Sequence, residues 1–334
     1  MYKPNNILVT GGCGFIGSNT INYLLNKYDD IFIINIDKLN YCSSVDNVDY
    51  HKNYKFIKGD IKSDDLINNI LNTYNIDTII NFAAQSHVDN SFNNSLEFTK
   101  DNILGTHTLL ECTRLYGNIK RFIHVSTDEV YGEVDDNTTS KEISLLNPTN
   151  PYAATKAGAE FLVKAYYLSF NIPIIITRGN NVYGPRQYPE KLIPKFINNL
   201  LNNEKCPIHG MGNTRRNFLY VDDVSNAFDI ILHKGVINEI YNIGTDDEYS
   251  VMNVLKILVK EIKDSNDITN YYVNVKDRDF NDSRYSINSE KLLNLGWEKK
   301  INFEEGIKLT INWYKKNNSL YYKMNLIKTT IENF

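Results

Sequence analysis

Two neighbouring carboxylic acids, Asp128 and Glu129, stand shortly after an apolar run at residues 122–125. A short apolar run of this kind is typical of a buried strand. In an open parallel sheet, ligands bind just beyond the carboxyl ends of the strands. The sequence therefore predicts that both acids reach a cleft, where paired carboxyl groups can donate and accept protons. Taken alone, they would more often be solvated loop acids.

A tyrosine and a lysine, Tyr152 and Lys156, are four residues apart in a segment with a helical pattern. They share one face of the predicted helix, and Pro151 before them suits an early helix position. A free phenol titrates near pH ~10, but neighbouring positive charge favours its ionised form. Such a tyrosine can take the proton of an alcohol while a hydride leaves the same carbon. Because the same spacing also occurs in ordinary surface pairs, the other motifs must support this interpretation.

A glycine-rich segment follows the first predicted strand and opens the first predicted helix, with Gly11, Gly14 and Gly17 in the spacing G-x-x-G-x-x-G. Such glycines allow a tight turn, close approach of a pyrophosphate and close helix–strand packing. Asp37 ends the second predicted strand, where a carboxylate can accept both ribose hydroxyls of NAD and would repel the 2′-phosphate of NADP. Lys38, directly after it, is a cation that would favour NADP instead. The alternative is a purely structural turn with a capping aspartate.

Further residues at strand ends are predicted to line the cofactor cleft. Asp60 and Ile61 follow the third predicted strand and are expected at the adenine edge. Ala83 and Ala84 follow the fourth strand and are small, as a wall against the cofactor requires. The predicted cofactor-binding residues are Gly11, Gly14, Phe15, Ile16, Gly17, Asp37, Asp60, Ile61, Ala83, Ala84, Tyr152 and Lys156.

Short apolar runs alternate with helical patterns through the first half of the chain, which indicates an α/β fold with a parallel sheet. Right-handed crossovers would make that sheet doubly wound, as in Rossmann folds. The predicted strands are 7–10, 31–36, 54–57, 78–82, 121–126 and 173–178. The predicted helices are 15–26, 64–74, 96–116, 152–170, 190–202, 222–233 and 250–263.

Three regions are predicted along the chain. Residues 1–180 form an NAD-binding Rossmann domain with the catalytic residues. Residues 181–318 form mainly a smaller, interleaved α/β lobe for the substrate, with residues 220–245 returning to the sheet. Residues 319–334 are a tail without an interpretable signal.

Composition excludes several classes of protein. The chain has 334 residues, 42% hydrophobic and 23% charged, as in soluble globular proteins. A net charge of −4 provides no basic field for nucleic acid, and no apolar run reaches the ~18 residues of a membrane span. The N-terminus lacks the pattern of a signal peptide. Four scattered cysteines are interpreted as free thiols of a cytoplasmic protein, and the histidines lack the spacing of metal ligands.

Together these motifs resemble the extended short-chain dehydrogenase/reductase family over nearly the whole chain, to about residue 314. The triplet Thr127-Asp128-Glu129 before Tyr152-x-x-x-Lys156 resembles in particular the nucleotide-sugar 4,6-dehydratases, because related epimerases usually lack the acid pair. Within them, the sequence is most similar to the dehydratase module of plant UDP-rhamnose synthases. That similarity lies in residues 82–91, 178–185, 189–196, 207–210 and 278–282.

The resemblance implies a reaction in three steps with NAD regenerated in each turnover. Tyr152, assisted by Thr127, takes the proton of the sugar 4-hydroxyl while hydride leaves C4. Glu129 then removes the C5 proton, and protonated Asp128 gives a proton to the departing 6-hydroxyl. Hydride returns to C6, and the product is UDP-4-keto-6-deoxyglucose. The two acids need opposite protonation states, so their environments must separate their pKa values. The implied catalytic residues are Thr127, Asp128, Glu129, Tyr152 and Lys156.

The resemblance also implies where the substrate binds. Arg216 and Arg278 fall where relatives hold the nucleotide diphosphate, and arginine suits phosphate geometry. The bacterial dTDP-glucose enzymes usually have an aromatic residue in place of His209 and a histidine in place of Asn281, so the chain is expected to prefer UDP-glucose. The implied substrate-binding residues are Ser86, Asn181, Lys191, Leu192, Pro207, His209, Arg216, Arg278 and Asn281.

Other functions remain open at this point. The chain could be a dTDP-glucose 4,6-dehydratase, a UDP-sugar 4-epimerase or decarboxylase, or a non-catalytic protein that senses NAD. The acid pair argues against an epimerase, and the intact reactive side chains argue against a sensor. The resemblance further implies a homodimer in which the helices predicted at 96–116 and 152–170 pair across a two-fold axis.

Overall fold

The central strands are runs rich in isoleucine and valine, whose branched side chains suit a sheet covered on both faces. The structure is a computed structural model that describes residues 1–277 and 282–331. Its strands are β1 (Asn6–Thr10), β2 (Phe32–Asp37), β3 (Tyr54–Lys58), β4 (Thr78–Asn81), β5 (Arg121–Thr127), β6 (Ile174–Gly179), β7 (Asn181–Tyr183), β8 (Cys206–His209), β9 (Arg215–Tyr220), β10 (Ile240–Ile243), β11 (Glu248–Ser250) and β12 (Tyr272–Val275).

Seven of these strands form one parallel sheet in the order β10-β6-β5-β4-β1-β2-β3. The chain runs outward from β1 to β3 and then returns to β4 on the other side of β1. Such a reversal leaves a crevice at the carboxyl ends of the strands, where ligands bind in this type of fold. The doubly wound parallel sheet is therefore confirmed, and each predicted strand begins and ends within one residue of the observed strand.

The helices cover this sheet and build the smaller lobe. They are α1 (Phe15–Lys27), α2 (Asp64–Thr73), α3 (Val88–Asn93), α4 (Ser95–Phe98), α5 (Gly105–Tyr116), α6 (Pro151–Phe170), α7 (Leu192–Leu201), α8 (Val221–Lys234), α9 (Val251–Lys263), α10 (Glu290–Leu293) and α11 (Phe303–Ile331). The helix predicted at 96–116 consists of α4, a π-helical turn at Thr99–Leu104 and α5 in succession. Among the described residues, no helix has both the length and the apolar character needed to cross a membrane.

Alternating side chains of each central strand pack on opposite faces of the sheet. Val9 of β1 lies in a core with Phe228 of α8 and residues of α1. Leu8, one residue earlier, lies in a second core with Val163 of α6 and residues of α2 and α5. Burial on both faces holds the carboxyl ends of β1, β4 and β5 at one edge of the sheet.

The smaller lobe has its own core at that edge. A three-stranded sheet, β11-β9-β7, and a parallel pair, β8 and β12, pack with α7, α9 and α11. Phe196, Leu255 and Ile307 are among the buried side chains that join these elements. Between segments of the lobe, β10 pairs with β6, with Ile240 opposite Ile176. The lobe and the central sheet therefore share chain segments and enclose one cleft.

Candidate active site

The glycine-rich turn between β1 and α1 has a backbone that larger residues would disturb. Gly11 has a φ of +69°, and a Cβ added there would lie 2.7 Å from the backbone of Ala83. A Cβ on Gly17 would lie 2.7 Å from the carbonyl oxygen of Gly11, whereas one on Gly14 would meet that oxygen at 3.2 Å. No side chain of a described residue caps α1, so its first amides remain available to an anion. The turn fits the pyrophosphate of a dinucleotide.

The carboxylate of Asp37 lies at the carboxyl end of β2, beside this turn. Its Oδ2 accepts a hydrogen bond from the Cys13 amide at 3.0 Å, and its Oδ1 accepts one from the Leu39 amide at 2.8 Å. These bonds fix the carboxylate while leaving lone pairs on both oxygens. Because Asp37 lines the same cleft as the glycines, it fits the adenosine ribose of NAD.

Lys38, the cation that would favour NADP, is paired with acids of this chain. Its Nζ lies 2.5 Å from Asp101 Oδ2 and 3.9 Å from Asp60 Oδ2. Asp101 also pairs with Lys62 at 2.7 Å and accepts a hydrogen bond from Gln85 at 2.8 Å. Burial acts to raise the pKa of Asp101, but hydrogen bonds from the two lysines and the amide hold that pKa below its usual range. Asp101 and Asp60 together thus offset the positive charge of Lys38 and Lys62 in this part of the cleft.

The Asp101→Asn variant is expected to bind NADP⁺ more tightly relative to NAD⁺, because it would release Lys38 toward a 2′-phosphate. An added charge pair at about 4 Å in water contributes about 1 kcal/mol, which corresponds to roughly a fivefold change in relative affinity. Exchange of bound NAD against added NADP⁺ measures this ratio. The double variant Asp101→Asn/Lys38→Met should restore the wild-type ratio, and an unchanged ratio in Asp101→Asn alone would contradict the assignment.

A short 3-10 turn at the end of β5 presents the two acids to the cleft. Thr127 caps this turn, since its Oγ1 accepts a hydrogen bond from the Glu129 amide at 3.3 Å and lies 3.2 Å from Asp128 Oδ1. The side-chain amide of Asn180 donates to Asp128 Oδ2 at 2.8 Å. The side-chain amide of Asn150 donates to Glu129 Oε2 at 3.1 Å. Each acid is therefore held by an asparagine from a different part of the fold.

The protein raises the pKa of both acids. Burial and the neighbouring charge of Glu129 raise the pKa of Asp128 to about 7. Asp128 therefore still carries a proton in many molecules at neutral pH and loses it as the pH rises above 7. Burial also raises the pKa of Glu129, against the effects of the Asn150 amide, Arg216 and Lys191. A proton-donating role is chemically available to Asp128 near neutral pH.

Tyr152 and Lys156 project from the start of α6 into the same cleft. Lys156 Nζ donates to the carbonyl oxygen of Val125 at 2.7 Å, and burial lowers the pKa of this lysine to about 8. Burial and the nearby charge of Glu129 raise the pKa of Tyr152 above its usual value. These surroundings keep the phenol protonated. The positive charge of a nicotinamide beside it would lower the pKa of the phenol and so favour its ionised form. Within the described residues, the ammonium of Lys156 is hydrogen-bonded to β5 and not to the phenol.

Three of the predicted substrate residues, Ser86, Asn181 and Lys191, also line the cleft. Lys191 Nζ donates to the carbonyl oxygen of Ser86 at 2.8 Å. This bond joins the segment after β4 to the segment before α7 across the cleft. Leu192 begins α7, and its side chain packs against the core of the smaller lobe.

Arg216 lies on β9 with its guanidinium group oriented by backbone and ring contacts. It donates to the carbonyl oxygen of Asp282 at 2.8 Å and lies over the ring of Tyr285, 4.6 Å from the ring centre. Its positive charge acts to lower the pKa of both Asp128 and Glu129. The arginine is thus near the acid pair, as a group that binds the substrate's diphosphate beside the sugar would be.

Two of the remaining predicted substrate residues lie in the smaller lobe and do not line the cleft. Pro207 and His209 are on β8, and His209 Nδ1 lies 3.1 Å from the carbonyl oxygen of Lys276. Arg278 and Asn281 lie outside the described residues. The structure therefore brings together the predicted cofactor and catalytic residues, whereas Pro207 and His209 stand apart from them on β8.

Sequence reasoning missed the two asparagines that hold the acids. Asn150 precedes Pro151 and is a typical N-cap residue, so its place at the start of α6 could have been inferred. Its bond to Glu129, 21 residues earlier, has no sequence signal. Asn180 lies 52 residues from Asp128, and only a long-range contact brings them together.

Known proteins are similar to this chain over nearly its whole length. Residues 8–310 match the family model described as GDP-mannose 4,6 dehydratase. The chain is 53% identical over 322 residues to a trifunctional UDP-glucose 4,6-dehydratase/UDP-4-keto-6-deoxy-D-glucose 3,5-epimerase/UDP-4-keto-L-rhamnose-reductase of Arabidopsis thaliana, covering 95% of this chain and 48% of the relative. It thus spans about half the length of this plant relative. It is 49% identical to a dTDP-D-glucose 4,6-dehydratase of Dictyostelium discoideum, covering 96% of this chain and 84% of that protein.

A solved structure shows the same fold with the cofactor in place. The dTDP-glucose 4,6-dehydratase of Streptomyces venezuelae with NAD bound has a TM-score of 0.91 and 37% identity, covering 96% of this chain and 99% of that chain. The predicted family, the Rossmann fold and the dependence on NAD are confirmed. The chain belongs to the nucleotide-sugar 4,6-dehydratases, the family described as GDP-mannose 4,6 dehydratase.

Proposed function

We propose that this chain converts UDP-glucose to UDP-4-keto-6-deoxyglucose and water. The observation that carries the proposal is that Tyr152, Asp128 and Glu129 line one cleft with the glycine-rich turn. Oxidation of an alcohol needs a base beside the nicotinamide, but loss of water also needs a second base and an acid. NAD, when bound, supplies reversible hydride acceptance, so no external oxidant is consumed.

In the oxidation step, Tyr152 takes the proton of the sugar 4-hydroxyl as hydride leaves C4. Thr127 contacts the Tyr152 side chain and acts to lower its pKa, so its hydroxyl is placed to bind the same sugar oxygen. Lys156 holds positive charge at the base of the cleft through its bond to Val125. That charge favours ionisation of the phenol once the nicotinamide adds its own.

In the elimination step, the new carbonyl group at C4 acidifies the hydrogen at C5, and Glu129 removes it. Asp128, whose pKa of about 7 lets it carry a proton near neutral pH, gives that proton to the 6-hydroxyl, which leaves as water. As hydride adds at C6, Glu129 returns its proton to C5. The proton held by Tyr152 replaces the one that Asp128 lost, so the residues return to their starting states.

The preference for the uridine nucleotide is supported by His209 and by 53% identity to a plant relative whose name includes UDP-glucose 4,6-dehydratase. The second candidate is dTDP-glucose, favoured by 49% identity to a protein named dTDP-D-glucose 4,6-dehydratase. Pro207 and His209 are proposed to lie beside the base, and Arg216 beside the diphosphate. Arg278 and Asn281 are proposed to complete this part of the site.

Parallel assays with UDP-glucose and dTDP-glucose test this proposal. Mass spectrometry should show a product lighter by one water, with the larger kcat/KM for UDP-glucose. A larger kcat/KM for dTDP-glucose would show that the preferred nucleotide is dTDP and not UDP. Formation of a 4-epimer without loss of water would instead identify an epimerase, and no change in either sugar would refute the proposed function.

We also propose a division of labour along the chain, with residues 1–180 holding NAD and the catalytic groups and residues 181–318 holding mainly the nucleotide sugar. The proposed product is a 4-keto-6-deoxy sugar. Its conversion to a rhamnose nucleotide requires a 3,5-epimerase and a 4-keto-reductase, activities that the name of the plant relative includes.

A homodimer through α5 and α6 is proposed from the apolar side chains exposed there. Leu115 on α5 is 64% exposed, and Phe161 and Leu168 on α6 are 64% and 68% exposed. Phe161 and Leu168 are seven residues apart and share one face of α6. Exposed apolar patches of this kind commonly mark protein interfaces, and two copies facing each other would bury the same surface on both.

The Leu168→Glu variant is therefore expected to be a monomer, because two carboxylates would be buried near the two-fold axis. Size-exclusion chromatography with light scattering measures the mass of the particle. Leu293→Glu, at a position 50% exposed on α10, should leave the wild-type mass unchanged. A monomeric wild-type protein at micromolar concentration would contradict the proposed interface.

A further inference from the structure

The side-chain amide of Asn150 contacts both catalytic elements at once. Its Oδ1 accepts a hydrogen bond from the Ala153 amide at 2.9 Å, which caps α6. Its Nδ2 donates to Glu129 Oε2 at 3.1 Å. Asn150 is 5% exposed, and its bond to the Ala153 amide is buried, while its bond to Glu129 is partly buried. Tyr152 lies two residues further along α6, so a single planar group connects the acid to the helix that carries the phenol.

We propose that Asn150 is a positioning residue that holds the carboxylate of Glu129 in register with the phenol of Tyr152 for the elimination step. This inference rests on the proposed function, because it requires Glu129 to act on the sugar that Tyr152 has helped to oxidise. The two side chains must act on neighbouring sugar carbons in one bound substrate. Small misplacements of a reacting group cost large factors in rate, so a fixed position of Glu129 relative to the oxidised sugar would speed the elimination.

An asparagine does at this position what other capping residues cannot. Serine, threonine and aspartate also cap helices well, because they offer an oxygen to the first amides. Ionised aspartate only accepts, and serine and threonine carry donor and acceptor on one oxygen, whereas asparagine carries an acceptor oxygen and a donor nitrogen on separate atoms. Within the described residues, the Asn150 amide is the hydrogen-bond partner of the Glu129 carboxylate. Capping alone would therefore not require an amide here.

The second acid is held in a parallel way. Asn180 Oδ1 accepts a hydrogen bond from the Thr245 amide at 3.0 Å, while its Nδ2 donates to Asp128 Oδ2 at 2.8 Å. Both asparagines thus fix their oxygen on a backbone amide and direct their nitrogen to a carboxylate. Because the anchors differ, Asn150 joins Glu129 to α6, whereas Asn180 joins Asp128 to the end of β6 and the loop after β10.

Charged and titratable groups surround Glu129 on several elements. They are Asp128 on the same turn, Tyr152 on α6, Lys191 before α7, Arg216 on β9, and Asp282 and Tyr285 before α10. Burial raises the pKa of Glu129, and the Asn150 amide is the largest opposing effect, ahead of Arg216 and Lys191. Removing the amide should therefore raise the pKa of Glu129 and shift the acidic limb of the pH profile to higher pH.

Two substitutions separate positioning from capping. Asn150→Ser and Asn150→Asp both keep a side-chain oxygen for the Ala153 amide, but both remove the Nδ2 that donates to Glu129. Asn302→Ser is the matched control, because Asn302 accepts a hydrogen bond from the Glu305 amide at 2.9 Å at the start of α11 and contacts no catalytic acid. Single-turnover measurements with UDP-glucose follow reduced nicotinamide by absorbance and water loss by mass spectrometry. Thermal unfolding and NAD content report on folding.

Both Asn150 variants should oxidise C4 at close to the wild-type rate but lose water roughly 10²-fold more slowly. The pH profile of water loss should move to higher pH, further in Asn150→Asp because its second carboxylate repels the charge of Glu129. Water loss at the wild-type rate with an unmoved profile would overturn the inference. So would an equal fall in both steps together with a lower unfolding temperature, which indicates a structural cap. A wild type that removes no water would instead refute the proposed function, and the inference with it.

Discussion

The Glu129→Gln variant is expected to bind NAD and to oxidise the sugar at C4, but to lose water roughly 10²- to 10⁴-fold more slowly than the wild type. The glutamine amide keeps the size of the side chain and can still accept the bond from the Asn150 amide. It cannot take the proton from C5, so the reaction stops after oxidation. Absorbance of reduced nicotinamide and the mass of the sugar product measure the two steps separately.

Glu133→Gln serves as the control for this change. Glu133 follows the same 3-10 turn but is exposed and does not line the cleft, so the variant should keep the wild-type rates. If Glu129→Gln released water at the wild-type rate, Glu129 would not be the base, and the proposed roles of the acid pair would have to be reassigned.

The Tyr152→Phe variant is expected to lose the oxidation step itself, with a fall in kcat of roughly 10²- to 10⁴-fold. The change removes one hydroxyl group from a buried ring and leaves the helix cap at Asn150 in place. Both reduced nicotinamide and dehydrated sugar should form more slowly by this factor, whereas Glu129→Gln should still form reduced nicotinamide. Rapid mixing with UDP-glucose, followed at the absorbance of reduced nicotinamide, measures the loss.

Tyr167→Phe, on the same helix but outside the cleft, is the matched control and should behave as the wild type. Oxidation at a normal rate in Tyr152→Phe would show that another group removes the proton from the 4-hydroxyl. If Tyr152→Phe blocks oxidation and Glu129→Gln blocks elimination, Tyr152 acts in the first step and Glu129 in the second.

The central sheet and the acid pair could be predicted because both follow from local pattern. A buried parallel strand is a short apolar run, and the residue types around Gly11 and Asp37 are demanded by the turn and by the ribose. Since β5 ends at Thr127, the acids after it had to lie at the edge of the sheet. Polar residues that directly follow the parallel strands could therefore be predicted to share one cleft.

The strands of the smaller lobe could not be predicted in the same way. β9 begins with two arginines and lies between β7 and β11, so its strand conformation depends on partners distant in sequence. The π-helical turn within the predicted helix at 96–116 also left no signal. The turn matters because Asn102 accepts a hydrogen bond from the backbone amide of Gln85 at 2.7 Å. Asp101, the residue before it, pairs with Lys38.

The protonation of the acids depends on still more distant contacts. Burial and the charge of Glu129 raise the pKa of Asp128, and the hydrogen bond from Asn180 acts to lower it. Asn180 lies between β6 and β7, far from Asp128 in sequence. A sequence shows that two acids are adjacent, but not which amide or cation faces each of them. The prediction that their environments differ could be made from the chemistry, while the residues responsible required the fold.

UDP-glucose carrying deuterium at C4 tests whether one cleft oxidises C4, removes water and reduces C6 of the same sugar. The product should be lighter by one water and should carry the deuterium at C6, as seen by mass spectrometry and nuclear magnetic resonance. Loss of the deuterium to solvent, or its retention at C4, would show that the hydride does not return to the sugar from which it came.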